Sequence, residues 1–221
     1  MTDQREDATY DAYLLRYPDG SWLAQLADLP GAYAIGASQE QATARLAAAI
    51  PAYYAWLSQH DEYTPTTHST PHVTAREVAE VGEGPGQGLG AFFAGDSQPV
   101  SDEDLDWWLA ALGWAYDDLV TQAQRTSDEA KYLLLGAVAR LQLDLVSYAT
   151  GAPAPAPASE PSVQALVPTA RSAALAAFRA TSAEQRAAVR EVDGQRWSVR
   201  RGLRESALLV RRATDELAAQ G

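Results

Sequence analysis

Three groups of side chains in this sequence have the types and spacing to do chemistry. The first is the histidines, His60, His68 and His72. His68 and His72 are four residues apart, which on a helix would put them on one face. Pro65 and Pro71 argue against a helix there. On a strand the same spacing separates them by about 13 Å, too far to share an ion. They read as polar linker residues. The second group is the helical carboxylates, Asp117-Asp118 and Asp144. Asp144 lies next to Leu145 and three residues after Leu141, at the border of an apolar stripe. A buried acid there needs a partner, and an arginine from a later helix is the obvious one. The third is the segment Trp197-Ser198-Val199-Arg200-Arg201-Gly202-Leu203-Arg204-Glu205-Ser206-Ala207-Leu208-Leu209. Its Glu205, Arg204 and Trp197 form a candidate pocket. No catalytic residue is assigned. The chain has no cysteine, which excludes disulfides, thiolate metal sites and cysteine nucleophiles. No serine or threonine stands in a nucleophile-elbow pattern with a histidine to act as its base.

Four long amphipathic segments must position the second and third groups. Ser101, followed by Asp102, Glu103 and Asp104, is an N-cap with acids in the first turn, where the helix dipole favours them. Leu105, Trp108, Leu109, Leu112, Tyr116 and Leu119 follow at helical spacing. Thr126 and Glu129 form a capping box for the next helix, with Leu134, Val138, Leu141, Leu145 and Tyr148 as its stripe. Val163, Leu166, Val167, Ala170, Ala174, Ala177 and Phe178 make a third stripe. Val199, Leu203, Ser206, Val210, Ala213 and Leu217 make the fourth. Trp107, Trp108, Trp114 and Trp197 read as core and interface residues. Four such helices bury one another best as a bundle. The eleven residues Gly151 to Pro161 alternate proline with small residues. In polyproline II they reach roughly 30 Å, the length of a helix of about 20 residues. That suits a long crossover between the second and third helices; the alternative is a plain interdomain linker.

The tryptophans at 107 and 108, the second helix ending near Tyr148, and Trp197-Ser198-x-Arg200-Arg201-x-Leu203-Arg204 resemble DinB-like four-helix bundles over residues 98–218. That resemblance implies the long crossover, frequent dimerisation and a centre in which three histidines hold a metal. The corresponding positions here are Ala137, Glu205 and Leu209. One has no ligand atom, one is aliphatic, and a single carboxylate holds a transition metal poorly. No metal and no cofactor is expected.

The first hundred residues read differently. Residues 10–17 and Trp22 to Leu26 are strands joined by the turn Pro18-Asp19-Gly20, in which proline presets φ and glycine takes positive φ. Leu29-Pro30-Gly31 is a loop and Tyr33 to Ile35 a third strand. Ser38 and Gln41 open a helix to about Ser58, with Leu46, Ile50, Tyr53 (or Tyr54) and Leu57 inward and a kink at Pro51. This β-β-β-α order, with its turns, resembles HicB-like antitoxin domains over residues 8–60. The resemblance implies a further strand, for which His72 to Val81 is the candidate, and inhibition of a small RNase toxin by protein contact. Residues 82–99 are glycine-rich but too irregular for a phosphate loop. They read as a connector with a short strand at Phe92-Phe93. The domains expected are thus 1–96, α+β with the connector, and 97–221, an all-α four-helix bundle.

The formal charge is −12, which disfavours binding to phosphate backbones. Residues 97–170 hold ten acids and three bases, whereas residues 171–212 hold ten arginines and four acids. The acidic helices can therefore face the arginine-rich ones, within one bundle or across a dimer. The N-terminus carries no apolar signal-peptide core, and no apolar run reaches the roughly 18 residues that span a bilayer. These features lead to a cytoplasmic, homodimeric, non-catalytic binding or interaction protein, with a possible protein partner and neither nucleic acid nor membrane. The alternatives are an antitoxin-like inhibitor of a basic RNase, and a metal-dependent DinB-like transferase or hydrolase with a rebuilt site.

Overall fold

The computed structural model describes residues 8–60, 71–81, 90–125, 130–153 and 163–220; for Ala130, Val163 and Gln164 it describes only the backbone. The chain divides into two compact units, with the division between Phe93 and Ala94. The sequence reading placed it after residue 96. The three residues in between belong to the second unit because Asp96 is held in that unit's core, as described below.

The first unit is a four-stranded sheet with one helix. Strands β1 (Thr9–Arg16), β2 (Trp22–Leu26) and β3 (Tyr33–Gly36) form an antiparallel meander. Helix α1 (Gln39–Ser58) follows, and β4 (His72–Glu80) returns to pair with β1 in parallel. The order across the sheet is β3-β2-β1-β4. Parallel pairing requires a crossover, which α1 supplies. The β1–β2 turn closes as its residues dictate: Gly20 has φ +84, and Asp19 accepts from the Ser21 amide at 2.9 Å. Ser38 caps α1 by accepting from the Gln41 amide. The Gln41 side chain reaches back one residue further than a capping box requires, to the Ala37 amide at 2.6 Å.

Leu46, Ile50, Tyr53 and Leu57 of α1 are buried, and the Tyr53 hydroxyl donates to the Pro30 carbonyl at 2.8 Å. Tyr54, the alternative inward residue, is half-buried and its hydroxyl lies 3.2 Å from that of Tyr10. Gly36 is required by close approach, since a Cβ there would lie 2.5 Å from the Ala42 amide nitrogen of α1. The expected strand at Phe92-Phe93 does not form. Among the described residues no strand pairs with it, and Phe93 instead stacks on Tyr13 at 4.2 Å between ring centroids.

The second unit is mostly helical. It comprises a 3-10 turn (Ala94–Ser97), α2 (Asp102–Arg125), α3 (Ala130–Thr150), α4 (Val163–Arg179), a short α5 (Ala183–Ala187), a two-stranded hairpin of β5 (Arg190–Val192) and β6 (Gln195–Trp197), and α6 (Val199–Ala219). The all-α expectation misses α5 and this hairpin. The hairpin turns on Asp193 and Gly194, both at positive φ, as a tight two-residue loop demands. Of the long helices, α2 packs on α4 and α6, and α3 packs on the same two. One apolar cluster joins Leu105 and Leu109 from the start of α2 and Val199 and Leu203 from the start of α6 to Val146 and Ala149 near the end of α3 and Phe178 at the end of α4. Thus α2 and α6 run one way and α3 and α4 the other.

The crossover, the glycine-rich connector from 82 to 89, the Thr126/Glu129 capping box and His68 lie outside the described residues. Among the described residues, one stretch, Lys131–Thr150 in α3, is long and apolar enough by length and composition to cross a membrane. It carries Arg140 and Asp144 and packs on α4 and α6.

The buried stripes of α2 and α6 are those read from the sequence. That of α3 is rotated: Leu135, Val138, Gln142, Leu145, Val146 and Ala149 face inward, not Leu134, Leu141 and Tyr148. A helix that is apolar almost all round does not declare its core face by periodicity.

Candidate functional site

The candidate pocket residues of the fourth long helix lie in its first turns, where side chains on every face of α6 are buried from Arg201 to Leu208. Ser198 caps this helix, accepting from the Arg201 amide and donating to the Asp96 carbonyl at 2.6 Å. That second bond pins the 3-10 turn against the helix and brings the Asp96 carboxylate to Arg204. The pair is bidentate: Arg204 Nε donates to Oδ1 at 3.0 Å and Nη2 to Oδ2 at 2.7 Å. The two side chains are 1% and 3% exposed, so the pair is fully desolvated. Arg204 Nη1 also lies 2.8 Å from Glu205 Oε1.

Burial raises the Glu205 pKa above its ordinary value, against the opposing pull of Arg204 and Arg201. Burial likewise lowers that of Arg201. The Arg201 guanidinium stacks 3.8 Å from the centre of the Trp197 ring and donates to the Arg196 carbonyl and to Gln195 Oε1. The cluster is therefore two acids and two arginines, Asp96, Glu205, Arg204 and Arg201, with Arg201 stacked on the Trp197 ring.

The three positions that the bundle resemblance assigns to metal ligands are not equivalent here. Glu205 is buried and ion-paired, Leu209 is half-buried and Ala137 is exposed. What meets α6 from α3 at this level is Gln142, whose Nε2 donates to Ser206 Oγ at 2.7 Å in the core. The donor set at the three positions is one carboxylate already engaged by a guanidinium, which does not fit a three-nitrogen metal centre. Among the described residues no group of three or more His, Asp or Glu is placed to hold a metal ion.

The remaining candidates are also placed. His60 packs edge-on against Trp56, and the exposed His72 opens β4. Asp144 is half-buried, and no ion pair with an arginine forms at it among the described residues, contrary to expectation. Its place as the buried acid is taken by Asp96. Sequence reading missed Asp96 because an acid in a glycine-rich connector carries no helical periodicity. The charge asymmetry resolves inside the unit. Arg186 pairs with Asp102, Arg200 with Asp104, Arg171 with Asp117 and Arg211 with Asp118. In each pair the acid comes from α2 and the arginine from α4, α5 or α6.

A separate cavity of about 430 Å³ lies where the end of α2 meets the beginnings of α3 and α4. Val120, Ala123, Leu135, Val167 and Pro168 supply its apolar wall, and Gln124, Lys131 and Tyr132 its polar groups. Tyr116, one helical turn before Val120, buries a hydroxyl that has no hydrogen-bond partner among the described residues. Burial pushes its pKa far above the usual tyrosine value, so the hydroxyl stays protonated. In comparisons with protein-family models, curated proteins and solved structures, nothing matches this chain.

Proposed function

We propose that this protein is a non-catalytic binding protein: a HicB-like module joined to a DinB-like four-helix bundle that serves as a scaffold and not as a metal centre. The observation that carries this reading is the state of Glu205. It alone of the three expected ligand positions has a donor atom, and that atom faces the Arg204 guanidinium at 2.8 Å. A cation there would have to displace an arginine that is itself locked to Asp96.

The parallel course of α3 and α4 supports a long crossover between the second and third bundle helices. The parallel return of β4 onto β1 supports the HicB-like reading of the first unit. In this reading the protein is cytoplasmic and homodimeric, acts through a small molecule or a protein partner, and engages neither nucleic acid nor membrane. Elemental analysis of untagged protein, purified without chelator, tests the scaffold claim. The expected result is well below one atom of any transition metal per chain. Stoichiometric zinc, nickel or iron, with an activity lost on chelation, would reverse it. Light scattering tests the dimer.

A further inference from the structure

We propose that both edges of the sheet in the first unit are closed against addition of a further strand, and that two arginines, Arg45 and Arg76, close them. The inference goes beyond the binding-protein reading and does not depend on it. Its consequence is that this chain meets a second copy or another protein through some surface other than a sheet edge.

Among the described residues the outer strands are β3 and β4. An outer strand turns half of its backbone N–H and C=O groups away from the sheet, where another chain can pair with them. Each of these two strands also carries an exposed β-branched residue, Ile35 at 39% and Val78 at 53%. Such residues favour strand pairing and offer an incoming strand apolar contact.

The β3 edge is closed from α1. The Leu26 amide donates to the Ala32 carbonyl at 3.0 Å. Continued along the register of β2 and β3, this pattern bonds Ala34 and Gly36 to β2 and turns the backbone groups of Tyr33 and Ile35 outward. Arg45 of α1 donates from Nη1 to the outward Ile35 carbonyl at 2.7 Å. The strand is only four residues long, and a chain adding to it would have to displace that guanidinium.

The β4 edge is nine residues long and is closed by an irregularity of its own. Ala12 pairs with Ala75 but Tyr13 with Glu77, so Arg76 is an extra residue with no opposite number on β1. The His72 amide donates to the Ala8 carbonyl and the Val81 amide to the Arg16 carbonyl, both at 2.9 Å. Alternation from each end turns Val73 and Ala75 outward before the bulge and Val78 and Glu80 after it. A regular strand presents its groups at every second residue, so it meets a fault between Ala75 and Val78. The side chains record the same break. The Thr74 hydroxyl donates to Asp11 Oδ1 at 3.2 Å, and Arg16 pairs with Glu80 at 3.2 Å. Asp11 and Arg16 lie on opposite faces of β1, so Thr74 and Glu80 do too, although an unbroken strand would put them on one face. Arg76 is paired with Asp11 at 3.6 Å, which holds the extra residue against β1. A bulge also bends the strand and increases its twist, which turns the edge away from a straight partner.

The test uses the full chain with Arg45→Met, which frees the Ile35 carbonyl at similar side-chain length, and with deletion of Arg76, which restores unbroken alternation in β4. Sedimentation velocity from micromolar to submillimolar concentration reads association, and the infrared amide I band reads pairing of strands between molecules. The chain has no cysteine, so Ala75→Cys, linked by mild oxidation, reports β4 meeting β4. Each guard variant should associate at about tenfold lower concentration than the parent, with a gain of intermolecular strand signal that the parent lacks. The deletion should also raise linking at Ala75→Cys by about tenfold. If circular dichroism shows that the deletion unfolds, Arg45→Met, which leaves the backbone intact, decides the matter at β3. Folded variants that sediment as the parent does, or a parent in which Ala75→Cys links readily, overturn the proposal. Metal analysis reads the second unit alone, so the scaffold reading and this inference can fail independently.

Discussion

Removing the charge of Asp96 while keeping its shape, as Asp96→Asn does, should be among the most damaging single-atom changes in the second unit. Asp96 and Arg204 are 1% and 3% exposed and joined by two hydrogen bonds. Breaking a buried ion pair from one side costs about 3–5 kcal/mol, because the other charge stays buried without its partner. Here Glu205, 2.8 Å from Arg204, still offsets part of that charge. The loss should therefore fall at the low end, about 3 kcal/mol. With a urea dependence of roughly 1.5 kcal/mol per molar, the midpoint should drop by about 2 M. The assay is urea unfolding followed at 222 nm, where the signal is dominated by the helices of the second unit. The variant Asp96→Leu/Arg204→Met, which removes the pair at similar volume and leaves Glu205 with Arg201, should recover most of the loss. A midpoint for Asp96→Asn within about 0.3 M of the parent, equivalent to about 0.5 kcal/mol, would refute the assignment of this pair as a core element.

Three further outcomes follow from the geometry. Gly202→Ala drives a Cβ into that of Ala149 with Phe178 behind it at 3.3 Å; overpacking of this kind should cost about 1–3 kcal/mol in thermal or urea unfolding. Glu205 titrates above its ordinary 4.5 in the folded protein, so its contribution to stability is fullest below pH 4.5 and declines as pH rises through the raised value. Glu205→Gln should accordingly compare better with the parent at pH 7 than at pH 4, and urea midpoints at the two pH values that moved the other way would contradict this sign. Ala137→Asp should change stability by less than about 0.5 kcal/mol, as expected of an exposed helix position; a loss of several kcal/mol would put residue 137 back at a buried centre.

Much of the architecture was legible from the residues themselves. Turn chemistry at Pro18-Asp19-Gly20, the Ser38 and Ser198 caps, and the stripes of α2 and α6 are local rules, satisfied within a few residues of chain. The limits of β2 and α1 could be read off for that reason. The Asp193-Gly194 hairpin is equally local, but its strands are only three residues each and show no alternation long enough to read. The face of α3 was not legible, because its residues are apolar in nearly every direction and only the neighbours α4 and α6 choose among them. The candidate site divided along the same line. The stripe Val199, Leu203, Ser206 and Val210 was legible, but the burial of Arg204 and Glu205 off that stripe was not, because it comes from neighbours packed on every face of the first turns of α6.

By itself the sequence determined the bounds of the elements that carry their own caps and turns, such as β2 and α1, that an acidic α2 could face arginines, and that no histidine lies in the helical half of the chain. Only the tertiary structure decided which charges meet. Asp96 reaches Arg204 across more than a hundred residues of chain, Gln142 of α3 meets Ser206 of α6 in the core, and Ala137 turns outward. Secondary structure obeys interactions of short range along the chain, whereas a buried charge must find its partner in space, and the packing of whole helices sets which partner that is.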